Sequence, residues 1–484
     1  MNINQLPFLV FFLLLPALSF GQEEESPKGE ITIEKIIFEG NKHTKEFVIL
    51  RELSFKEGDI LYATDTADFF VTEEKRVYNL SLFHKVDIYA SNIEASKVTI
   101  TISVSERSRL IDSRVVLEVG DRNFNEWWNN RNRDLKRLNM GGKFKNNNFR
   151  GRKEILSITA EVGFTRKFAL NYKMPYIDKN YNSGLNFSFA YGQTRSVAYK
   201  NSDLDEDLGE IIYNRQGFVD AENIISENYL GAIEYTKRVG LFTNHLLGVS
   251  FYNNQISDTV FQLNPNYYAN NQKNQNHFEF RYSYSYDTRD FSFYPLKGHK
   301  IHAEFTKRGL GIFNDLNQWE VKADYSKFFT LKRNFFAAFG VFSKLTFPKN
   351  QGYFNTKGLG YGFDFVRGHD LHVINGEHYF LTKASFKKQL LAQFKAVKMK
   401  WMPNLLKDLR YIPFGIYLKT FVDNGYNVDI NPTVHNDLLA NRLLTGYGVG
   451  VDLTTFFDLV TSLEYSINTL GERNLFIRFS AGIK

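Results

Sequence analysis

Apolar and polar residues alternate along most of the chain, from about residue 110 to its end. In residues 278–287, aromatic side chains occupy every even position and polar side chains occupy every odd position. Successive side chains of a β-strand point to opposite faces, so this period of two predicts strands with one apolar and one polar face. A soluble sandwich would give the same local pattern. Because the pattern recurs over roughly 375 residues without helical segments to cover a second face, it favours a transmembrane β-barrel.

The predicted barrel spans residues 108–484. At about 23 residues for each strand with its connection, this length gives about sixteen antiparallel strands, which is enough to enclose a lumen. The last strand is predicted close to the end of the chain, with Leu475, Ile477 and Phe479 on one face and Arg478 on the other.

Residues 31–107 show a different pattern and are predicted to form a small separate domain. Apolar alternation predicts a strand that ends at a turn formed by Gly40 and Asn41. Helical spacing follows in residues 44–53 and 64–80, and two further strands are predicted near residues 86 and 98. The predicted order is β-α-α-β-β, and about 75 residues suffice for one small core. The predicted fold class is therefore an all-β transmembrane barrel preceded by a small α+β domain.

The first 30 residues predict export. Residues 6–20 are apolar, and the small residues Ser19 and Gly21 precede a cleavage point at Gln22. We predict a signal peptide over residues 1–21 and a polar linker over residues 22–30. No Lys or Arg precedes the apolar segment, which leaves a retained anchor open, although its prolines and short length argue against a spanning helix.

Unequal connections between the predicted strands give the barrel an orientation. A short turn is expected near Arg166 and Lys167, whereas residues 201–223 and 255–276 are long and polar. In outer-membrane barrels, long loops face the exterior and short turns face the periplasm. The small domain is therefore expected to lie in the periplasm.

Composition narrows the classes of function. The chain has 484 residues, with 46 Phe, 27 Tyr, no Cys and a formal net charge of +7. Aromatic residues are typical of strands and of the aromatic girdles of outer-membrane barrels. The absence of cysteine excludes a disulfide scaffold and a thiolate metal site. The modest positive charge is not concentrated in a basic cluster, so we expect no nucleic-acid partner.

A glycine-rich segment, residues 352–376, is the candidate functional loop. It carries Arg367 among apolar residues, and such a loop is expected to fold back into the barrel. Arg367 then needs an acceptor, because an unpaired buried charge is costly. Alternation in residues 414–423 places Asp423 on the lumenal face of a strand. We predict that Asp423 pairs with Arg367 and pins the loop inside the lumen.

Short motifs give the chain a specific resemblance. The small domain, with Gly40 and Asn41 after its first strand, resembles a POTRA domain. The barrel resembles that of the BamA/TamA superfamily of outer-membrane assembly and translocation proteins. The matching barrel residues are Val366, Arg367 and Gly368 in a loop motif; Phe421, Asp423 and Gly425 in a partner strand; and Asp287, Arg289, Asp290, Pro295 and Gly298 in a third motif. Residues 121–127, followed by Asn148, Gly151 and Arg152, resemble the barrel start of members with a single POTRA domain.

The chain departs from the family pattern at three places. His369 stands where the loop motif usually has an aromatic residue, and the final residue is Lys484 rather than an aromatic one. The strand after the loop has Ser385 and its neighbours where relatives often have a glutamate.

The resemblance implies a function without catalysis. It implies that the POTRA domain receives unfolded outer-membrane or secreted polypeptides by pairing an edge of its sheet with the incoming strand, and that the barrel inserts or translocates them in the outer membrane of a Gram-negative bacterium. It also implies a weak seam between the first and last strands of the barrel that opens laterally. Outer-membrane lipids and other periplasmic or outer-membrane assembly factors are the further partners it implies. Secretion of one dedicated partner, as in two-partner transporters, is the alternative, and a passive porin comes after it because the POTRA-like module argues against a porin.

No enzyme, cofactor or metal is predicted. The sequence has no Gly-x-Ser-x-Gly elbow, so the lipase domain fused to some single-POTRA relatives is not expected. One group of metal-ligand types lies close together, at His369, His372, Glu377 and His378. Their spacing is not that of a helical pair, and loop histidines are more often hydrogen-bonded or solvated than metal-bound.

Overall fold

The structure is a computed structural model, and it describes most of the chain after residue 29. The described residues are 30–62, 66–94, 96–110, 112–120, 127, 132–201, 203–205, 210–212, 217–313, 316–349, 351–391, 396–398, 411–413, 415–430, 438–455 and 459–479. The predicted signal peptide and all but the last residue of the predicted linker lie outside them. Within these residues, no helix is long and apolar enough to cross a membrane.

The small N-terminal domain is a four-stranded sheet with two helices. Its elements are β1 (Glu30–Glu39), α1 (Glu46–Leu50), β2 (Ile60–Tyr62), α2 (Thr66–Tyr78), β3 (Phe83–Glu94) and β4 (Lys97–Glu106). The strands lie in the order β2-β1-β4-β3, and β1 and β4 are parallel. The predicted order of strands and helices is confirmed, and the structure adds the three-residue strand β2, which is too short to show a periodicity.

The core of this domain forms where the apolar face of β4 meets the two helices. Ile100 of β4, Ile49 of α1 and Val77 of α2 are completely buried in one cluster. Burying a side chain of this size contributes about 1.5–3 kcal/mol. Tyr176 and Phe291, which lie in turns of the barrel, belong to the same cluster. The small domain therefore packs directly on the barrel.

The barrel sheet has sixteen antiparallel strands among the described residues, and this prediction is confirmed. In their order along the sheet they are β5 (Arg114–Val119), β6 (Leu138–Phe149), β7 (Glu154–Gly163), β8 (Thr165–Met174), β9 (Ser183–Thr194), β14 (Ser226–Val239), β15 (Thr243–Ile256), β16 (Asn274–Asp287), β17 (Gly298–Arg308), β18 (Gln318–Thr330), β19 (Phe335–Phe347), β20 (His378–Leu391), β23 (Gly415–Val428), β24 (Leu443–Thr454), β25 (Val460–Asn468) and β26 (Arg473–Phe479).

The connections contain short elements of their own. Their strands are β10 (Ser196–Lys200), β11 (Asp203–Asp205), β12 (Glu210–Ile212), β13 (Gly217–Asp220), β21 (Ala396–Lys398) and β22 (Tyr411–Pro413). Their helices are α3 (Asp258–Leu263) and 3₁₀ turns at Leu135–Arg137, Ala269–Asn271, Lys332–Asn334 and Tyr353–Asn355.

Alternation sorts the side chains of the barrel strands between two faces. In β23, Tyr417, Phe421 and Asp423 are buried, whereas Leu418 and Val422 between them are exposed. The exposed apolar face is the one that contacts lipid in a membrane barrel, and the buried face lines the lumen.

The small domain contacts one end of the barrel. Hydrogen bonds join it to the turns near Asn148, Asn182, Arg238 and Asp290. Because the strands are antiparallel, the connections from β9 to β14 and from β15 to β16 lie at the other end. These are the two connections predicted to be long.

The short turn expected near Arg166 and Lys167 is present, between the end of β7 at Gly163 and the start of β8 at Thr165. Both residues lie within β8, and the chain reverses at Phe164, directly after Gly163 with a φ of 139°. This tight reversal lies at the end away from the small domain. A short turn therefore does not mark the end that carries the small domain. Conversely, the long connection from β20 to β23 leaves and re-enters the sheet at the end of the small domain, at Leu391 and Gly415, so loop length alone does not orient this barrel.

Candidate functional site

The connection between β19 and β20, residues 348–377, folds into the lumen and brings Arg367 against β23. Arg367 Nη2 lies 2.6 Å from Oδ1 of Asp423, and Nε lies 2.8 Å from Oδ2. The backbone N–H of Arg367 donates to the same Oδ2 at 3.1 Å. Arg367 is 4% exposed and Asp423 is 0% exposed. The structure thus joins the two residues that alternation paired, through a bidentate contact.

Further contacts complete the surroundings of Arg367. Its Nη2 donates to Ser385 Oγ at 3.1 Å and to the carbonyl oxygen of Ala384 at 3.2 Å. The guanidinium carbon lies 4.1 Å from the centre of the Phe421 ring. A buried ion pair is costly unless further hydrogen bonds satisfy its donors, and these contacts satisfy the N–H groups of Nη2 that Asp423 leaves over. Ser385, which departs from the family pattern, is therefore a partner of the loop.

The neighbours of Arg367 fit the site for steric reasons. Val366 is 1% exposed and packs in one cluster with Leu359 and Leu381. A Cβ at Gly425 would lie 2.6 Å from Cγ2 of Val366, so the glycine on β23 makes room for the valine. Gly368 has a φ of 96°, a conformation that side chains disfavour. The structure therefore brings both predicted motifs into one contact region, formed by Val366, Arg367, Gly368, Phe421, Asp423 and Gly425.

Strand β24 lines this region with glycine, and sequence reasoning missed it. A Cβ at Gly446 would overlap the carbonyl oxygen of Arg367, and one at Gly448 would lie 2.7 Å from the ring of Phe421. The loop therefore reaches the wall because β24 has no side chains there. Glycine alternating along an otherwise apolar strand was the available signal, since a glycine inside a strand often marks a close approach by another backbone.

The loop is also tied to the last strand. Asp370 forms an ion pair with Arg478 of β26, and Nε of Arg478 lies 2.6 Å from Oε2 of Glu464 on β25. Asn468 Nδ2 donates to the carbonyl oxygen of Gly368 at 2.8 Å. The loop therefore connects β23 with the last two strands of the sheet, and nothing in the local pattern of the loop predicted this second attachment.

The histidines of the loop, His369 and His372, contact one another and the turn between β25 and β26. Nδ1 of His369 lies 3.2 Å from Nδ1 of His372, and Nε2 of His369 lies 3.0 Å from Thr469 Oγ1. Nε2 of His372 lies 3.6 Å from a carboxylate oxygen of Glu472. In the part of the chain that the structure describes, no group of three His, Cys, Asp or Glu side chains is placed to hold a metal ion. These contacts describe the packing of the loop.

The two ends of the barrel sheet, β5 and β26, form a seam. Each of the other fourteen strands has hydrogen-bonded neighbours on both sides, but no bridge between described residues joins β5 to β26. Side chains facing outward at the seam are more exposed than those on paired strands. Val115 is 86% and Ile477 is 64% exposed, against 53% for Val449 and 44% for Leu463. The seam therefore offers strand edges with unused backbone hydrogen-bonding groups.

The turn at Gly40 and Asn41 leads the small domain towards the barrel. Gly40 has a φ of 83°, and a Cβ there would overlap a backbone oxygen of β4. After this turn, the backbone N–H groups of His43 and Thr44 both donate to the carboxylate of Glu106. Glu106 thereby holds the segment that touches the barrel.

Two residues of the barrel-start motif receive this segment. Asn148 Nδ2 donates to Thr44 Oγ1 at 2.9 Å, and the Asn148 carbonyl oxygen lies 2.9 Å from His43 Nε2. The backbone N–H of Lys45 donates to the carbonyl oxygen of Gly151 at 2.9 Å. A Cβ at Gly151 would overlap the backbone of His43. The motif therefore serves to dock the small domain.

A second docking contact joins α1 and the residues after it to the turns of β8–β9 and β14–β15. Nη1 and Nη2 of Arg238 lie 2.6 and 2.7 Å from the two carboxylate oxygens of Glu52. Nearby, the ring of Phe47 stacks on that of Tyr181 with centroids 4.2 Å apart. Burial disfavours the charged carboxylate, but the hydrogen bonds and charge of Arg238 outweigh it, and the pKa of Glu52 is lowered.

Comparisons with protein families agree with this architecture. Residues 31–107 match POTRA, the surface antigen variable number repeat. Residues 148–371, which include Arg367, match the Omp85 superfamily domain. The chain belongs to the Omp85 superfamily. A comparison of this Omp85 protein with curated proteins found no match.

Solved structures include similar folds. CdiB from Escherichia coli superposes with a TM-score of 0.52 at 12% identity, over 93% of this Omp85 protein and 76% of that chain. BamA from Haemophilus ducreyi lacking POTRA domains 1-3 gives a TM-score of 0.49 at 13% identity, over 93% and 84% of the two chains. CdiB from Acinetobacter baumannii gives 0.47 at 13% identity, over 93% and 73%. At these identities the likeness concerns the fold alone.

Family membership sets the class of function. Omp85 proteins are insertion and transport proteins rather than enzymes, with barrels of the Gram-negative outer-membrane type and POTRA domains that bind polypeptides. This Omp85 protein therefore acts in the insertion or translocation of polypeptides.

Proposed function

We propose that this protein is an outer-membrane assembly factor that receives unfolded polypeptide at its POTRA domain and inserts it at the seam between β5 and β26. The observation that carries the proposal is the pair of unbridged sheet ends. In hydrocarbon an unpaired edge is costly, because its N–H and C=O groups find no water. A client strand that pairs with β5 or β26 relieves this cost for both chains and then folds as an extension of the sheet.

The POTRA domain offers the client a strand edge. In the sheet order β2-β1-β4-β3, strand β3 is an end strand over residues Phe83–Glu94, and Tyr89 and Ile93 on it are exposed. An extended polypeptide adds to such an edge through backbone hydrogen bonds, so recognition does not depend on one client sequence. The β3 edge is where we place the first contact with the client.

The loop is proposed to keep the seam in its working arrangement. The Arg367–Asp423 pair fixes the loop to β23, and the Asp370–Arg478 pair fixes the same loop to β26. The loop thereby positions the last strand relative to the rest of the wall. In this proposal the motif residues are positioning residues, and the protein works without a catalytic residue, cofactor or metal.

Export of a dedicated partner through the lumen is the second candidate function, and the outer end of the barrel argues against it. Tyr267, Tyr268 and Tyr353 are buried there, with the ring of Tyr267 at 5.0 and 5.8 Å from the other two. Tyr353 OH donates to Asn201 Oδ1 at 2.9 Å, which ties in the loop after β9. A polypeptide or solute that crosses the lumen must displace these loops, whereas a client inserted at the seam leaves them in place. The same closure argues against a passive porin.

We place the barrel in the outer membrane of a Gram-negative bacterium, with the POTRA domain in the periplasm. The exposed apolar outer face of the barrel and the match to the Omp85 superfamily domain support this placement. The domain boundaries we propose are residues 31–107 and 108–484, after a signal peptide and linker. The proposed partners are unfolded outer-membrane or secreted polypeptides, outer-membrane lipids and other assembly factors of the periplasm or outer membrane.

Depletion of the protein followed by quantitative proteomics of the outer membrane tests this function. We expect many barrel proteins to fall in abundance together. Outer-membrane lipoproteins, which have no barrel to insert, are the internal control and are expected to stay constant. Loss of a single exported protein, with barrel proteins unchanged, would support dedicated export and contradict the proposal.

A further inference from the structure

The turn between β16 and β17, residues 288–297, touches the POTRA domain on one side and the lumen on the other. Asn79, directly after α2, donates from Nδ2 to the carbonyl oxygen of Asp290 at 2.9 Å and accepts from the backbone N–H of Ser292 at 3.1 Å. Between these two, the ring of Phe291 packs edge-on against Tyr78 of α2. Tyr294 lies three residues further on and is completely buried. The turn therefore spans from the POTRA domain to the inside of the barrel.

This turn is braced from within. Arg289 makes a bidentate contact with Asp287, with Nε 2.9 Å from Oδ1 and Nη2 2.7 Å from Oδ2. Oδ1 of Asp290 accepts from the backbone N–H groups of Leu296 and Lys297 at 3.0 and 3.1 Å. These contacts hold together the turn that carries both Phe291, which packs on the POTRA domain, and Tyr294, which faces the lumen.

Tyr294 is the first member of a row of buried polar side chains, which we call the lumenal relay. The relay consists of Tyr294, Asp452 of β24, Lys419 of β23, Glu464 of β25 and Arg478 of β26. Tyr294 OH donates to Oδ2 of Asp452 at 2.8 Å. Lys419 pairs with Asp452 and, at 2.6 Å, with Glu464, and Glu464 pairs with Arg478 at 2.6 Å.

The relay ends on the seam and on the loop. Arg478 belongs to β26, and it pairs with Asp370 three residues after Arg367. Along the row from Asp452 to Asp370 the charges alternate in sign. The relay thus connects the face that touches the POTRA domain with both the last strand and the loop that positions it.

The central part of the relay is tightly packed, and its charged groups are almost fully buried. The side chains of Asp452, Lys419 and Glu464 are 2% exposed or less. Removing one partner of a buried ion pair leaves the other charge uncompensated, which is strongly unfavourable. A Cβ at Gly450, between Lys419 and Glu464, would lie 3.1 Å from each of their side chains. The pairs therefore fit together closely across β24.

We propose that the lumenal relay couples docking of the POTRA domain to the mobility of β26. With the POTRA domain docked, Tyr294 holds Asp452, and the ionic row holds Arg478 and its strand. A client that displaces α2 from the turn releases this restraint and loosens the seam strand. The inference rests on the proposed function in one respect, since it takes the seam as the place where the client enters.

Hydrogen exchange of the full-length protein in lipid nanodiscs, measured by mass spectrometry without any client, tests the relay. Tyr294→Phe removes only the hydroxyl that reaches Asp452, and Asn79→Ala removes the two hydrogen bonds between the end of α2 and the turn. We expect either change to speed exchange of the β26 amides roughly fivefold, which corresponds to the loss of about one hydrogen bond that restrains the strand. The double variant is expected to match the larger single effect, because both changes interrupt the same row.

Tyr417→Phe is the matched control. Tyr417 is as deeply buried as Tyr294 and packs on its ring at 4.8 Å, but its hydroxyl accepts from Gln389 outside the relay. We expect β26 exchange in this variant to equal that of the wild type. Equal acceleration in the Tyr417 and Tyr294 variants, or unchanged β26 exchange in both the Asn79 and Tyr294 variants, would overturn the relay.

The test separates the relay from the proposed function, because exchange is measured without a client. A wild-type protein that fails to insert clients, yet shows the expected exchange pattern, contradicts the assembly function and leaves the relay standing. Because Asn79 lies at the docking surface rather than in the barrel, Asn79→Ala keeps the test open if Tyr294→Phe does not fold.

Discussion

Arg367 is a charged residue on an apolar loop, and specific contacts stabilise its burial inside the barrel. Its guanidinium pairs with Asp423, packs on the ring of Phe421 and donates a further hydrogen bond to Ser385 of β20. The backbone beside it needs Gly446, since a side chain there would overlap its carbonyl oxygen. The site is thus made as much by the missing side chains of β24 as by the ion pair itself.

We predict that Arg367→Ala destabilises the barrel by about 3 kcal/mol, because it leaves the buried carboxylate of Asp423 without a partner. The expected readouts are a lower temperature of conversion from the folded to the unfolded band in gel electrophoresis and a weaker assembly activity. Arg281→Ala is the matched control, since Arg281 pairs with Glu234 in the lumen wall away from the loop. Its pair is more exposed, so we expect a smaller loss of stability and unchanged assembly activity. Wild-type stability and activity of Arg367→Ala would refute the role of the pair.

At this site, the sequence predicted the pair but not its surroundings. Alternation along one strand sufficed to place Asp423 on the lumenal face, and the need to neutralise Arg367 supplied the rest. The contact of Asp370 with Arg478 depends on how a loop of one hairpin lies across strands a hundred residues later. Local periodicity carries no information about contacts between residues so far apart in the sequence.

The docking of the POTRA domain depends on short turns at one end of the barrel rather than on a single hinge. The segment after Gly40 seats on the turn that begins at Asn148, Glu52 pairs with Arg238, and Asn79 holds the turn at Asp290. These contacts involve three separate turns, which together define the docked orientation of the domain on the barrel.

We predict that the Glu52–Arg238 contact makes docking sensitive to acid. The pKa of Glu52 is lower in the folded protein than its ordinary value of 4.5, so its contribution is present above that value. It is lost as the pH falls through the folded-state pKa. Glu52→Gln keeps the shape and removes the charge, and we expect it to cost about 2 kcal/mol at pH 7. The difference in melting temperature between variant and wild type should stay constant from pH 8 to 6 and shrink below about pH 4.5. A difference that does not change with pH would contradict this account.

Elements were predictable where they are long and periodic. Both helices of the POTRA domain were found, although α1 occupies only Glu46–Leu50 of the predicted residues 44–53. Strand β2 was missed because three residues show no period. Short elements are set by tertiary contacts, such as the pairing of β2 with the start of β1.

The barrel was the most predictable feature, and its seam the least. Strand number follows from length and period, and the inner and outer faces follow from alternation. Whether the first strand bridges the last depends on the register and closure of all sixteen strands together, which no local pattern contains. The family resemblance implied a weak seam between the first and last strands, but the unbridged ends of β5 and β26 and the lumenal relay emerge only from the structure.

The central claim is that clients enter at the seam, and a disulfide across it tests this most directly. The chain has no cysteine, so introduced pairs have no competing thiols. A cysteine at Leu117 of β5 is combined in turn with one at Leu475 or Ile477 of β26, and oxidation identifies the pair that bridges. The control pair, Val449→Cys with Tyr465→Cys, joins directly opposed residues on strands that are already bonded.

Each purified variant is assayed twice, first oxidised and then reduced, for insertion of an unfolded barrel protein into liposomes. We expect the bridged seam to abolish insertion, reduction to restore it, and the control pair to have no effect in either state. Full insertion activity with the seam quantitatively bridged would contradict entry at the seam.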